Sequence, residues 1–249
     1  MRVPRCAHHR SNPAEALNQR ENEKDQATIM ISAAPDSTTH RLSDDAYKVL
    51  FSEARTYSDW LDRSVGDDLL HQLYDLMKWG PTSANCCPVR ILFLRSRQAK
   101  ERLRPALAPG NVDKTMKAPV TAIIAHDSKF YELLPRLFPA DATAKEMFAK
   151  STKLADSTAM RNGSLQGAYF MLAARSLGLD CGPMSGFDNA KVDQEFFPTP
   201  APGGAATLVT FLAGGPVKSN FLCNLGYGDA AKLRPRGPRL AFDEACRLL

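Results

Sequence analysis

Apolar positions along this chain repeat with two periods, every three or four residues in most segments and without a break in a few short ones. The pattern predicts many helices around few strands. Ser43-Asp44-Asp45 is a capping signal for a helix to about Arg55, with Ala46, Val49, Leu50 and Ala54 as its inner stripe. Asp67-Asp68 opens a second helix; its face carries Leu69, Leu70, Leu73, Leu76 and Met77, and Gly80-Pro81 stops it. Val89-Arg90-Ile91-Leu92-Phe93-Leu94 reads as a buried strand. Gln98 to Leu107 reads as a short basic helix closed by Pro109-Gly110, and Val120 to Ala125 as a second strand. Residues 127–150 read as mostly helical, with Phe130, Tyr131, Phe138 and Phe148 as aromatic anchors. The longest helix runs from Lys153 to Leu177 and is rich in small residues, among them Ala155, Ala159, Gly163, Gly167 and Ala174. That suits a buried central helix, or one packed across a dimer interface. Gly178 ends it. A Gly/Pro-punctuated loop, Gly182-Pro183-Met184-Ser185-Gly186-Phe187, follows a short strand. Asp188 to Phe197 is a further helix, Ser219 to Tyr227 a strand and Phe242 to Leu249 a terminal helix.

This order predicts an α+β fold with no internal repeat. Residues 1–41 are polar, mixed in charge and without periodicity, so they read as a variable or disordered extension to a domain over 42–249. The Pro/Gly-rich stretch 198–216, around Leu208-Val209-Thr210-Phe211-Leu212, reads as an insertion or long loop.

Composition changes this picture little. With 44% hydrophobic and 24% charged residues the chain is ordinary for a soluble globular protein. No apolar run approaches the ~20 residues of a membrane helix. The first residues carry no apolar signal core, and Glu15, Glu21, Glu23 and Asp25 argue against a mitochondrial address. A cytoplasmic protein is expected. The net charge of +5 comes without a basic run, which argues against a nucleic-acid partner. A small anionic ligand accounts for the excess, as does a solvated surface. The six cysteines include no C-x-x-C pair and no zinc-finger spacing, so they read as free thiols; Cys86 or Cys87 as a nucleophile is the alternative.

The candidate chemistry sits in two segments, Lys78-Trp79-Gly80-Pro81-Thr82-Ser83-Ala84-Asn85 and Gly182 to Phe187. Both offer backbone amides and short side chains to a flat polar ligand. Neither carries a group that performs hydride chemistry unaided, so a bound cofactor is expected. Gly226-Tyr227-Gly228-Asp229-Ala230-Ala231 matches G-x-G-x-x-A, but too little chain follows to complete a dinucleotide-binding unit. No P-loop, metal spacing or G-x-S-x-G elbow is present. Lys232, Arg234, Arg236 and Arg239 form a cationic group that reads either as a phosphate holder or as a solvated basic loop. Arg55-Thr56, Ser83 and Asn85 read by default as caps and turns. Asn111 and Lys114 read as a polar turn before the second strand.

Taken in order, these segments resemble the FMN-dependent nitroreductase family from about Phe51 to Leu249. Within it the chain is similar to the malonic-semialdehyde reductases of the pyrimidine-utilisation (Rut) pathway. The resemblance implies a sandwich with a mainly antiparallel sheet flanked by helices, as an intertwined homodimer with FMN at the subunit interface. It implies that Arg55 and Thr56, with Trp60 after them, hold the phosphate and ribityl end of FMN. Ser83 and Asn85 would contact the flavin or its ribityl chain, and Asn111 and Lys114 its pyrimidine edge. The loop of Pro183, Met184, Ser185, Gly186 and Phe187 would lie over N5, with the backbone N–H groups after the proline as donors, and Arg236 and Arg239 would bind phosphate, with Lys232 or Arg234 as rivals. The implied reaction passes a hydride from NADH or NADPH to the flavin and on to malonic semialdehyde, giving 3-hydroxypropionate. A broad nitroreductase or quinone reductase is the alternative, and a flavin-binding protein without turnover the second. The chain departs from the family at Ala54 and Ser58, where basic residues are common, at Cys87-Pro88 in place of Gln-Pro, and at Ser185 in place of Glu.

Overall fold

The computed structural model describes residues 40–198 and 216–249. The chain forms two units, Met1–Leu42 and Ser43–Leu249. Of the first, only residues 40–42 are described, as irregular backbone. All that follows concerns the second. The expected extension over 1–41 and insertion over 198–216 fall almost wholly outside the described residues.

The second unit is built on a sheet of four strands, β1 (Val89–Leu94), β2 (Val120–Asp127), β3 (Asp180–Met184) and β4 (Val217–Gly226), in the order β1-β2-β4-β3. All three pairings are antiparallel, with Ile91 opposite Ile124, Ile123 opposite Leu222 and Gly182 opposite Asn224. Every residue of β2 is buried, as a strand covered on both faces requires. Successive side chains leave a strand on opposite faces. Ile124, Cys223 and Leu225 therefore join Leu73, Met77 and Phe170 in one core, while Ile123 and Leu222 join Leu103, Met184 and Val192 in another.

Helices cover both faces. On the first side lie α1 (Asp44–Tyr47, continuing as a wider turn to Ser52) and α2 (Asp67–Met77). On the other lie α3 (Arg97–Leu103) and α4 (Pro109–Lys117). Two short helices, α5 (Leu134–Leu137) and α6 (Ala144–Ala149), precede the 25-residue α7 (Thr152–Ser176). The helices α8 (Asn189–Phe196) and α9 (Phe242–Ala245) complete the set. The small residues of α7 let it lie close on the sheet. A Cβ on Gly163 would come within 3.1 Å of the His126 Cβ, and one on Gly167 within 2.5 Å of the Phe221 ring.

Several expectations are corrected. The first helix ends at Ser52 rather than Arg55, and its expected inner stripe is not buried. Pro109-Gly110 opens α4 instead of closing α3, because proline suits the first turn of a helix, where its missing N–H costs nothing. Asn111 and Lys114 consequently sit on a helix, not in a turn. Gly182, Pro183 and Met184 belong to β3 itself, so only Ser185 to Phe187 form the loop. The last helix is one turn, not eight residues.

Candidate functional site

The residues from Ala54 to Asp59 run beside the edge strand β3 and bend at Ser58 and Asp59. Thr56 bridges Cys181 of β3, and the Tyr57 N–H donates to the Cys181 carbonyl at 3.1 Å. Trp60 bridges Gly228, just after β4, and its Nε1 donates to the Lys114 carbonyl at 3.2 Å. The approach is close enough to demand glycine beneath it. A Cβ on Gly182 would lie 2.5 Å from the Tyr57 carbonyl oxygen, and one on Gly228 2.0 Å from the Tyr57 ring. The chain leaving β4 then returns to this segment. Arg55 donates to the carbonyl of Arg234, and Arg236 Nη2 donates to the carbonyl of Ala54 at 3.0 Å. The two arms strap one another.

Between them, the first two turns of α4 and the end of α7 lies a cleft of about 750 Å³. Six of its lining side chains (Arg55, Lys114, Arg175, Arg234, Arg236 and Arg239) form no ion pair with a carboxylate among the described residues. Lys117 and Lys232 share Asp59 at 3.8 and 3.9 Å. Arg175 donates Nη1 to the Leu50 carbonyl at 3.1 Å, while its Nε is buried without an acceptor. Burial and the neighbouring Arg234 both pull the Lys114 ammonium below the ordinary lysine range. Unpaired cations held this close repel one another, and an anion between them relieves that repulsion. The cleft also carries Asp59, Asp113 and Asp229, but cations outnumber them and guanidinium groups predominate, a donor type that suits a phosphate.

Beside it, the loop after β3 is fastened to the start of α4. The Gly186 carbonyl accepts the Ala108 N–H at 3.0 Å and the Asn111 Nδ2 at 2.7 Å. A Cβ on Gly186 would come within 2.7 Å of that same nitrogen.

A model described as the nitroreductase family matches residues 52–203, more than half of the chain. The chain belongs to the nitroreductase family. Solved structures share the fold at low identity. The candidate nitroreductase ydfN of Bacillus subtilis is 18% identical, with a TM-score of 0.67 over 82% of this chain and 99% of its own. A candidate nitroreductase of Exiguobacterium sibiricum in complex with FMN is 16% identical, with a TM-score of 0.67 over 85% of this chain and 100% of its own. A candidate NAD(P)H:FMN oxidoreductase of Staphylococcus epidermidis is 17% identical, with a TM-score of 0.64 over 84% and 98%.

The expected site residues fall into three groups. Arg55, Thr56, Lys114, Arg236 and Arg239 line the cleft together, with Arg234 and Lys232 beside them. Asn111, Pro183, Met184, Ser185 and Gly186 lie on α4, on β3 and in the adjoining loop; the Met184 side chain is turned into the core, where the Thr115 hydroxyl donates to its sulfur at 3.6 Å. Ser83 and Asn85 line no part of the cleft in this chain. The Ser83 N–H donates to Asn162 Oδ1 on α7 at 2.9 Å, and Asn85 Nδ2 donates to the Leu137 carbonyl at 2.8 Å. Their segment is wound into left-handed backbone, with φ of 50° at Ala84, 48° at Asn85 and 39° at Cys87. The five described cysteines are free. Cys86 is fully buried and its thiol is pushed up to about 11, which closes the nucleophile reading for it. Sequence reasoning missed Arg175 and Lys117 as cleft residues. A basic residue in the last turn of a helix reads as a partner of the helix dipole, and only the fold brings Arg175 to the cleft.

Proposed function

We propose that this protein is an FMN-dependent oxidoreductase that uses NAD(P)H to reduce malonic semialdehyde to 3-hydroxypropionate. The observation that carries the flavin reading is the cleft whose six cations pair with no carboxylate among the described residues, with the orphaned Arg175 Nε, which fits the phosphate of FMN. When bound, FMN supplies the hydride relay between donor and acceptor. Arg55, Arg236 and Arg239 would hold its phosphate, with Thr56 beside them, and Asn111, Lys114 and the Pro183–Gly186 segment its ring. Lys114 has a second role in this reading. Its lowered pKa makes it the better proton donor to an aldehyde oxygen that gains negative charge.

The active form proposed is a homodimer. Ser83 and Asn85 stand apart from the cleft in one chain, so they would meet the flavin held by a second copy. Exposed apolar residues on α7 support this: Leu154, Leu165 and Tyr169 share one flank of the helix.

Reduction of nitroaromatics or quinones is the second reading. It is favoured by the match over residues 52–203, which is to the nitroreductase family as a whole. A panel of acceptors presented to the NADPH-reduced protein separates the two. Turnover of malonic semialdehyde at least tenfold more efficient than that of a nitroaromatic or a quinone supports the first reading, and the reverse order supports the second. Flavin binding without NAD(P)H oxidation removes both.

A further inference from the structure

A second basic groove, of about 940 Å³, adjoins the cleft and shares Asp59, Lys117 and Lys232 with it. Its floor is apolar, formed by Trp60, Leu61, Val65, Met116 and Pro119. Its walls carry seven cations against the two carboxylates Asp59 and Asp62. Their pairing is incomplete. Arg95 pairs with Asp67, Arg97 and Arg104 share Glu101, Lys117 and Lys232 share Asp59, and Lys232 also reaches Asp229 at 3.5 Å. Arg63 has no carboxylate among the described residues and lies 3.6 Å over the centre of the Tyr227 ring. Lys100 lines the groove at 5% exposure, and its ammonium donates to the Ala118 carbonyl and pairs with no carboxylate among the described residues. A buried ammonium without a counter-ion is costly and is relieved by an anionic ligand.

The two sites are joined by one helix. α4 puts Lys114 in the cleft and Lys117, one turn on, at the shared rim, with Met116 in the groove. A ligand that engages both sites has one end at Lys114, an anionic middle at Lys117 and Lys232, and a flat apolar end with a further phosphate in the groove. We propose that this groove binds the phosphorylated adenosine of NADPH, with adenine on the apolar floor and the 2′-phosphate against Arg63 and Lys100, so that the protein selects NADPH over NADH. The proposal rests on the flavin reading for the identity of the donor, and the groove itself is observed independently of it. NADH offers no group for Arg63 and Lys100.

The test is titration of 2′,5′-ADP and of 5′-AMP into the FMN-loaded full-length protein by calorimetry, repeated with Arg63→Ala and Arg63→Glu. Arg63 is exposed but lies over the Tyr227 ring, so circular dichroism first checks that each variant keeps the parent fold. The expected result is that 2′,5′-ADP binds at least tenfold more tightly than 5′-AMP. Arg63→Ala should weaken it at least fivefold and Arg63→Glu further, with FMN affinity unchanged. The KM preference for NADPH over NADH should fall by the same factor. Equal binding of the two nucleotides, no binding, or indifference to both substitutions overturns the proposal while leaving FMN uptake, and so the flavin reading, standing. Tight 2′,5′-ADP binding by a protein that takes up no FMN supports the groove and removes the proposed function instead.

Discussion

Replacing Gly182 by alanine places a methyl group where the backbone of the cleft wall already runs. The added Cβ would stand 2.5 Å from the Tyr57 carbonyl oxygen, 3.2 Å from the Trp60 ring and 3.5 Å from the Asn224 Cβ. The nearest atom is backbone and cannot rotate away. The Tyr57 N–H is in turn bonded to the Cys181 carbonyl at 3.1 Å, so the Ala54–Asp59 segment has to lift off β3 or the strand has to bend. Overpacking of this kind costs about 1–3 kcal/mol. Losing the Tyr57 hydrogen bond adds roughly 1 kcal/mol. The total of roughly 2–4 kcal/mol lowers Tm by about 4–16 °C for a chain of this size. The displacement moves Arg55 and Thr56, so FMN affinity should fall as well, by at least tenfold. Gly110→Ala is the control. Nothing lies within 4 Å of its added Cβ, and it sits in the first turns of α4, so stability should change by less than about 1 kcal/mol. The assays are urea unfolding followed by circular dichroism and FMN titration followed by flavin fluorescence. A Gly182→Ala protein as stable as the parent and with unchanged FMN affinity would refute the reasoning that this close approach builds the site.

Four further outcomes are expected. Arg236→Ala removes a charged donor of the strap and should weaken FMN binding about 10- to 100-fold, as read by fluorescence titration. Protomers carrying Arg236→Ala, mixed and refolded with protomers carrying Ser83→Ala and Asn85→Ala, should regain FMN binding in mixed dimers, because one site then holds both intact halves; no recovery would place all the flavin ligands on one chain. Asp127→Ala leaves Arg90, paired at 2.8 Å and only 12% exposed at its side chain, without its carboxylate, and should cost about 3–5 kcal/mol by urea unfolding. His126 has a buried Nδ1 without a partner, and burial together with Lys218 holds its folded pKa below the ordinary 6.5. The unfolded chain therefore takes up that proton first. Stability should be full above about pH 6.5 and fall as pH drops through that value toward the folded one, and His126→Gln should flatten the fall in the urea midpoint.

The elements with an unbroken apolar pattern were legible from sequence alone. Val89–Leu94 matches β1 at both ends, its run being apolar but for Arg90, and the small-residue run marks α7, because the helix lies close on the sheet there. The first helix was not, since Val49 and Phe51 are about half exposed among the described residues. Pro109-Gly110 misled because the pair reads equally as a stop and as a start, and only the preceding Ala108, anchored to Gly186, decides it. For the candidate site, Arg55, Lys114, Arg236 and Arg239 could be named only through the order of motifs. Their convergence on one cleft needed the strap between Arg55, Arg234, Arg236 and Ala54, a contact across about 180 residues of chain. The separation of Ser83 and Asn85 from that cleft had no local signal at all.

The central claim is that the cationic cleft holds FMN and that NAD(P)H reduces it for an aldehyde acceptor. An anaerobic visible spectrum of the purified protein loaded with FMN tests it most directly, with NADPH added first and malonic semialdehyde second. The protein should be yellow, bleach with NADPH and recover its colour with the aldehyde. A protein that takes up no FMN, or that stays yellow on addition of NADPH and of NADH, would contradict that claim.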